Sequence, residues 1–329
     1  MSLALLTLAL LVPLLLLFRR KSRKMPVRGR WVLITGGGSG IGAELALELA
    51  RRGAKLVLWD IHEGGLRQVR EEILSLTPSA AVVCRKVDVS DATAVRAAAA
   101  ELGSDALGAG QHVAYLVNNA GIVYGQGVVG CDEARVARTI NVNLLAHFWT
   151  TRALLPPMLE HNDGLVVTVS SLMGMIGGAR LADYCASKWG ALGMHESLTL
   201  EVRRAGRPGV STLAVCPYAA RTGMFSGIFE SDRHLALLRW LFPLLSPAAL
   251  AVAIADAMER REAWLVVPRL HKWVALIIHL LPAPLYYSVL ELMGGRYGMD
   301  TFRGRGAAWN DGASSRRRGE GTGREPTRS

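Results

Sequence analysis

The sequence predicts an α/β fold, a doubly wound parallel sheet of about seven strands with helices on both faces. Two observations predict it. Short apolar, strand-like runs alternate with helical patterns along most of the chain. The first run also meets the first helix through a glycine-rich turn, Gly36 to Gly42. The strand-like runs are 31–35, 55–59, 81–87, 112–118, 165–170, 210–216 and 264–267, and helical patterns between them include 43–52, 133–160 and 183–204. A sheet of this kind carries its site beyond the C-terminal ends of its strands.

The 329 residues fit one large domain with appendages, and an apolar half is enough for a sizeable core. The net charge of +11 lies at the two ends of the chain, because residues 31–302 carry as many acids as bases. The body is therefore not a polyanion-binding surface, and no nucleic-acid partner is expected. Cys84, Cys131, Cys185 and Cys216 form no C-x-x-C pair and no histidine cluster accompanies them, so no metal site is expected. Cys84 and Cys216 read as buried thiols in a reducing compartment, and Cys185 as a helix-packing residue.

The run 31–35 feeds Gly36-Gly37-Gly38-Ser39-Gly40-Ile41-Gly42, and a helix follows. Strand, glycine turn and helix N-terminus together cradle a pyrophosphate on backbone N–H groups, which makes the fold Rossmann-type. Gly36, Ser39, Gly40, Ile41 and Gly42 are the expected dinucleotide contacts. The second run ends in Asp60, eighteen residues after Gly42. An acid there accepts from the ribose hydroxyls of NAD and repels the extra phosphate of NADP. No Arg or Lys in the turn or directly after Asp60 offsets that repulsion. NAD is the expected cofactor and NADP the less favoured one.

Tyr184 and Lys188 stand four residues apart in a helical pattern, with Ser171 thirteen residues before the tyrosine. Positions i and i+4 share a helix face, so both can point into one cleft. An ammonium beside a phenol favours the phenolate. A phenol tuned toward neutral pH can take a proton from an alcohol or give one to a carbonyl. Ser170 adjoins Ser171 and would face the other way on a strand.

These residues resemble the short-chain dehydrogenase/reductase family over roughly residues 30–270. Its pattern is met by Thr35-Gly36 through Gly40 and Gly42, by Asn118-Asn119-Ala120-Gly121, by Asn143, by Ser171, and by Tyr184 with Lys188. Leu58-Trp59-Asp60-Ile61, Ala146-His147-Phe148-Trp149-Thr150-Thr151, Asp183 to Lys188, and Cys216-Pro217-Tyr218 with Thr222-Gly223-Met224-Phe225 are similar to the membrane-bound retinol and 17β-hydroxysteroid dehydrogenase branch, and most of all to microsomal all-trans-retinol dehydrogenases. The resemblance implies that Tyr184 is the general acid/base and that Lys188 lowers its pKa and binds the nicotinamide ribose. Ser171 would hold the substrate oxygen, and Asn143 a water linking Lys188 to solvent. Asp88 and Val89 would contact adenine, Asn119 would line the adenosine side, and Thr222 would touch the carboxamide. One departure stands out. Pro217-Tyr218 replaces the usual Pro-Gly, so Tyr218 is expected to narrow the floor of the nicotinamide site or to reshape the substrate pocket.

The appendages follow from composition. Residues 2–18 form a nearly unbroken apolar run and a basic cluster follows at once, so residues 1–24 are expected to anchor the chain in a membrane. No basic region precedes that run, as one would for a cleaved signal peptide. Residues 25–302 are the expected catalytic domain, facing the cytosol from the endoplasmic reticulum or a lipid droplet. Within it, residues 219–249 correspond to the family's substrate lid, here rich in Met, Phe and Leu. Residues 271–293 are apolar but interrupted by His279, Pro282 and Pro284, which favours an interfacial contact with membrane lipids over a spanning helix. Residues 303–329 are Arg- and Gly-rich, with the composition of a disordered tail. The sequence leaves a homodimer open. The expected reaction is NAD-dependent oxidation of a lipophilic alcohol, retinol-like first and hydroxysteroid second. An NADPH-dependent carbonyl or retinal reductase and a non-catalytic dinucleotide-binding scaffold are the alternatives.

Overall fold

The first strand, β1 (Trp31–Thr35), is apolar throughout but for Thr35, and all five of its side chains are buried. A strand covered on both faces needs that composition. The protein is described by a computed structural model covering residues 24–228 and 244–304. In chain order β1 is followed by α1 (Gly40–Arg51), β2 (Lys55–Asp60), α2 (Glu63–Leu76), β3 (Val82–Lys86), α3 (Ala92–Ala100), α4 (Ser104–Leu107) and β4 (Val113–Asn118). Then come α5 (Glu133–Ile140), α6 (Ala146–His161), β5 (Gly164–Val169), α7 (Ala182–Arg204), β6 (Val210–Pro217), α8 (Pro247–Arg260), β7 (Trp264–Val267), α9 (His271–Ile278) and α10 (Ala283–Leu290).

The seven strands form one sheet in the order β3-β2-β1-β4-β5-β6-β7, and every pairing is parallel. The chain winds one way from β1 to β3 and the other way from β4 onward. The two crossovers therefore part beyond the ends of β1 and β4, and that crevice is where such sheets bind ligands.

Alternate residues of each strand serve opposite faces. Val32 and Ile34 pack with Leu45 and Leu49 of α1 and with Ile254 and Met258 of α8. Trp31 and Leu33 pack on the other face with Leu154 and Met158 of α6 and with Leu198 and Val202 of α7. A fully buried leucine such as Leu49 contributes about 1.5–3 kcal/mol by transfer alone, and Leu49→Ala would cost about 2–5 kcal/mol once its cavity is included.

The strand expectations hold to within a residue or so at each end. The helical pattern 133–160 does not form one regular helix: a π-helical turn, Asn141–Leu145, separates α5 from α6. Such turns occur frequently at functional sites, and this one carries Asn143.

The apolar segment after β7 folds as α9 and α10, with the break near Pro282 that the prolines predict. Ala275, Ile278 and Leu290 pack on Leu172 and Ile176. The opposite side exposes Trp273, Ile277, Leu280, Leu285 and Tyr287. Among the described residues no helix is long and apolar enough to cross a membrane. The expected anchor lies, but for Lys24, outside the described residues, as do most of the tail and residues 229–243 of the lid. Beyond α10 the chain returns over the site. Ala179 N–H donates to the Gly295 carbonyl at 2.8 Å, and Arg303 N–H donates to the Ser226 carbonyl at 2.9 Å.

Candidate active site

The glycine-rich turn leads from β1 into α1, and steric demand explains its composition. A Cβ on Gly42 would lie 2.2 Å from the Gly36 carbonyl oxygen, so only glycine lets the helix start that close to the strand. Asp60, at the end of β2, accepts the Gly38 N–H at 2.9 Å and the His62 N–H at 2.9 Å. Thr35 Oγ1 accepts the N–H groups of Asn119 and Ala120 at 3.0 and 3.1 Å, and Asn119 Nδ2 donates to the Thr35 carbonyl at 2.9 Å. These bonds tie the ends of β1 and β4 into one rim.

That rim opens on a cleft of about 1090 Å³. Gly36, Ser39, Gly40, Ile41 and Asp60 line one end of it, with Asp88, Val89 and Asn119 beside them. Tyr184, Lys188 and Thr222 line the other end. Glycine loop, helix N-terminus and acid at the end of β2 are thus in one cavity, which fits a dinucleotide in donor set. The sequence reading missed Arg138, which also lines the cleft and pairs with Asp88 at 2.9 Å. Burial works to raise the Asp88 carboxyl, but hydrogen bonds from Ser90 and the Arg138 charge win and hold it below the ordinary range.

Tyr184 and Lys188 occupy the first turns of α7, and both are buried. Ser171 caps a short 3-10 turn after β5, accepts the Met173 N–H at 3.1 Å and donates to the Pro217 carbonyl at 3.5 Å. Ser170 points elsewhere, donating to the Lys188 carbonyl at 2.9 Å. Lys188 Nζ donates to the Val169 carbonyl at 3.0 Å and stands 5.8 Å from the Tyr184 ring centroid. Burial brings the Lys188 ammonium down to a pKa of about 8.

One expectation needs correction. Lys188 does not set the Tyr184 phenol low in the protein alone. Burial pushes that phenol well above its ordinary value, and the pull in the other direction comes from the Ser171 hydroxyl. The cause is tertiary: a phenolate there would lose its hydration.

Asn143 is fully buried beneath the cleft rather than lining it. Its Oδ1 accepts the Ile122 N–H at 2.8 Å, and its Nδ2 donates to the Ile122 carbonyl and to Ser187 Oγ, both at 3.0 Å. The side chain fastens the loop after β4 to the π turn and to α7.

A second cavity of about 660 Å³ adjoins the first and is almost wholly apolar. Ser171 opens onto it, and Tyr218 and Phe225 line both cavities. Tyr218 therefore stands where the dinucleotide cleft meets the apolar pocket. Phe225 meets the Tyr184 ring edge-on at 5.9 Å. Much of the far wall is Leu290, Met293 and Met299, from the returning C-terminal segment. The sequence reading placed the substrate wall in residues 219–249 and missed this one.

The short chain dehydrogenase family model matches residues 30–233, and the chain belongs to that family. It is similar to retinol dehydrogenase 10-B of Danio rerio, 36% identical over 83% of this chain and 84% of the relative. A short-chain dehydrogenase/reductase from Burkholderia phymatum, solved with NAD, superposes with a TM-score of 0.67 at 26% identity, covering 78% of this chain and 94% of that one. A metagenomic short-chain oxidoreductase solved with NADP superposes at 0.60, also at 26% identity, over 74% and 98%. The protein is an NAD(P)-dependent short-chain alcohol dehydrogenase.

Proposed function

We propose that the protein oxidises a lipophilic alcohol, retinol-like before hydroxysteroid, with NAD as acceptor. The observation that carries this reading is the apolar pocket that opens on Ser171 and shares Tyr218 and Phe225 with the dinucleotide cleft. A long apolar alcohol can lie in that pocket with only its oxygen at the polar end. Asp60 supports NAD, since an acid at the end of β2 accepts from the ribose hydroxyls and repels the extra phosphate of NADP.

Bound NAD supplies the hydride acceptor. The chain supplies everything else. Ser171 Oγ hydrogen-bonds the substrate oxygen and stabilises charge as it develops there. Tyr184 takes the hydroxyl proton. Lys188 holds the nicotinamide ribose and adds positive charge beside the phenol once the cleft is filled, and Asn143 orders the proton path behind Lys188. Asp88, Val89 and Asn119 hold the adenosine end, and Thr222 the carboxamide end. Tyr218 shapes the junction at which the substrate carbon meets the dinucleotide. The exposed apolar side of α9 and α10, with the run at 2–18, supports placement at an endoplasmic reticulum or lipid-droplet surface, where such substrates dissolve.

A second reading has one observation in its favour: a structural relative was solved with NADP, which suits reduction of a carbonyl on the same substrate with Tyr184 as the proton donor. Membranes carrying the full chain, given NAD or NADP with retinol or a hydroxysteroid, test the first reading through the appearance of reduced cofactor. Retinol-dependent NADH formation supports it. Turnover only of retinal with NADPH replaces it with the second, and silence with every substrate despite dinucleotide binding leaves a scaffold.

A further inference from the structure

His147 lies on α6 with 2% of its surface exposed, and among the described residues no group hydrogen-bonds either ring nitrogen. A neutral imidazole has one donor and one acceptor. Buried polar atoms are rarely left unpaired in a native interior, and internal water is the usual partner where other polar groups are close.

Two polar side chains, Lys188 and His195, are near enough to act on its charge. His147 comes one turn after Asn143, which reaches α7 through Ser187. Lys188 and His195 are two turns apart on one face of α7, and both are buried. His195 Nδ1 is engaged with Thr168 Oγ1 at 3.0 Å. Burial first, then the Lys188 charge and His195, holds His147 down to a pKa of about 3, so its ring is neutral and able to accept. Lys188 has three N–H groups, and only one goes to Val169.

We propose that His147 is a positioning residue for Lys188: its imidazole accepts one ammonium N–H through a single buried water and holds Nζ in place beneath the cleft. The inference rests on the proposed role of Lys188 at the ribose, and not on which alcohol is oxidised. The π turn contributes by setting Asn143 and His147 against α7 together, so that one side chain fastens the cleft wall and the other the ammonium.

The test uses full-length protein and follows NADH binding by fluorescence from pH 6 to 10. The titratable groups facing Lys188 and His147 are Tyr184, His195 and Cys216. In the wild type, affinity falls as Lys188 loses its proton near pH 8. His147→Phe removes the acceptor and disfavours the ammonium, so that fall moves down by about one pH unit. His147→Gln, which can still accept from the water, restores the wild-type midpoint. A Phe variant that titrates like the wild type overturns the proposal. So does a Gln variant that shifts as far as Phe. A high-resolution crystal structure of the wild type gives an independent reading should the Phe variant fail to fold. A water within hydrogen-bond reach of both His147 and Lys188 supports the proposal, and a dry His147 overturns it. Neither measurement needs an alcohol, so failure of the retinol reading would leave both interpretable.

Discussion

Asp60 accepts the Gly38 N–H at 2.9 Å, which binds the end of the second strand to the turn that cradles the pyrophosphate. The same carboxylate holds the His62 N–H, so it is fixed before any dinucleotide arrives. Asp60→Ala would loosen the turn and remove the ribose acceptor together. NAD affinity should fall about tenfold, the worth of roughly one hydrogen bond to a charged group. NADP affinity should fall less or rise, because the repulsion goes too. Titrations of both dinucleotides by intrinsic tryptophan fluorescence check this. A wild type that already prefers NADP would sink the NAD reading.

Tyr184→Phe keeps the ring that meets Phe225 edge-on at 5.9 Å and removes only the hydroxyl. Turnover should drop by at least about a hundredfold, while NAD affinity stays near the wild-type value. Ser171→Ala should also cost about a hundredfold or more, since it removes the donor at the developing charge. Initial rates with retinol, read beside dinucleotide titrations, separate lost chemistry from lost binding. Near-normal rates in the Phe variant would rule out the proposed proton transfer.

Met299 is buried beside Tyr184 and Val123, on a segment that meets the site only through tertiary contacts. Met299→Trp would fill part of the apolar pocket and leave the dinucleotide cleft untouched. The kcat/KM for retinol should fall about tenfold or more relative to that for a short alcohol. Equal losses on both substrates would mean that the long substrate does not occupy this pocket.

The strands were legible because each is a short apolar run, and a parallel sheet buried on both faces requires that composition. The dinucleotide end was legible because glycine at position 42 answers a local steric demand, the 2.2 Å approach to the Gly36 carbonyl. The Tyr184 and Lys188 pair was legible because helical spacing alone puts both on one face. What stayed hidden is long-range. Met293 and Met299 reach the pocket because the Ala179 N–H bonds the Gly295 carbonyl, a contact with no local signature. The π turn at Asn141–Leu145 interrupts a pattern that reads as uniformly helical. The Arg138 pair with Asp88 spans fifty residues of chain. The raised Tyr184 phenol comes from burial, which only the assembled site determines.

The buried imidazoles set an acid limit on the fold. Burial holds His147 at about 3 and His195 at about 4, against an ordinary 6.5. Between those values the unfolded chain binds more protons than the folded one. Stability therefore rises with pH across that window and is lost as pH falls below 6.5. At pH 5 each histidine costs about 2 kcal/mol, since one pKa unit is about 1.4 kcal/mol. Asp88, held low, gives up its contribution only at lower pH, so the range from 7 to 5 isolates the histidines. Between those limits the thermal midpoint should fall by at least about 5 °C. His195→Gln should have a shallower decline, because one proton sink of the unfolded chain is gone while His147 and His271, also held low by burial, remain. Melting curves followed by circular dichroism at half-unit pH steps measure both slopes. A midpoint that is flat from pH 7 to 5 would mean that these rings bind protons in the native state, which also removes the neutral acceptor that positions Lys188.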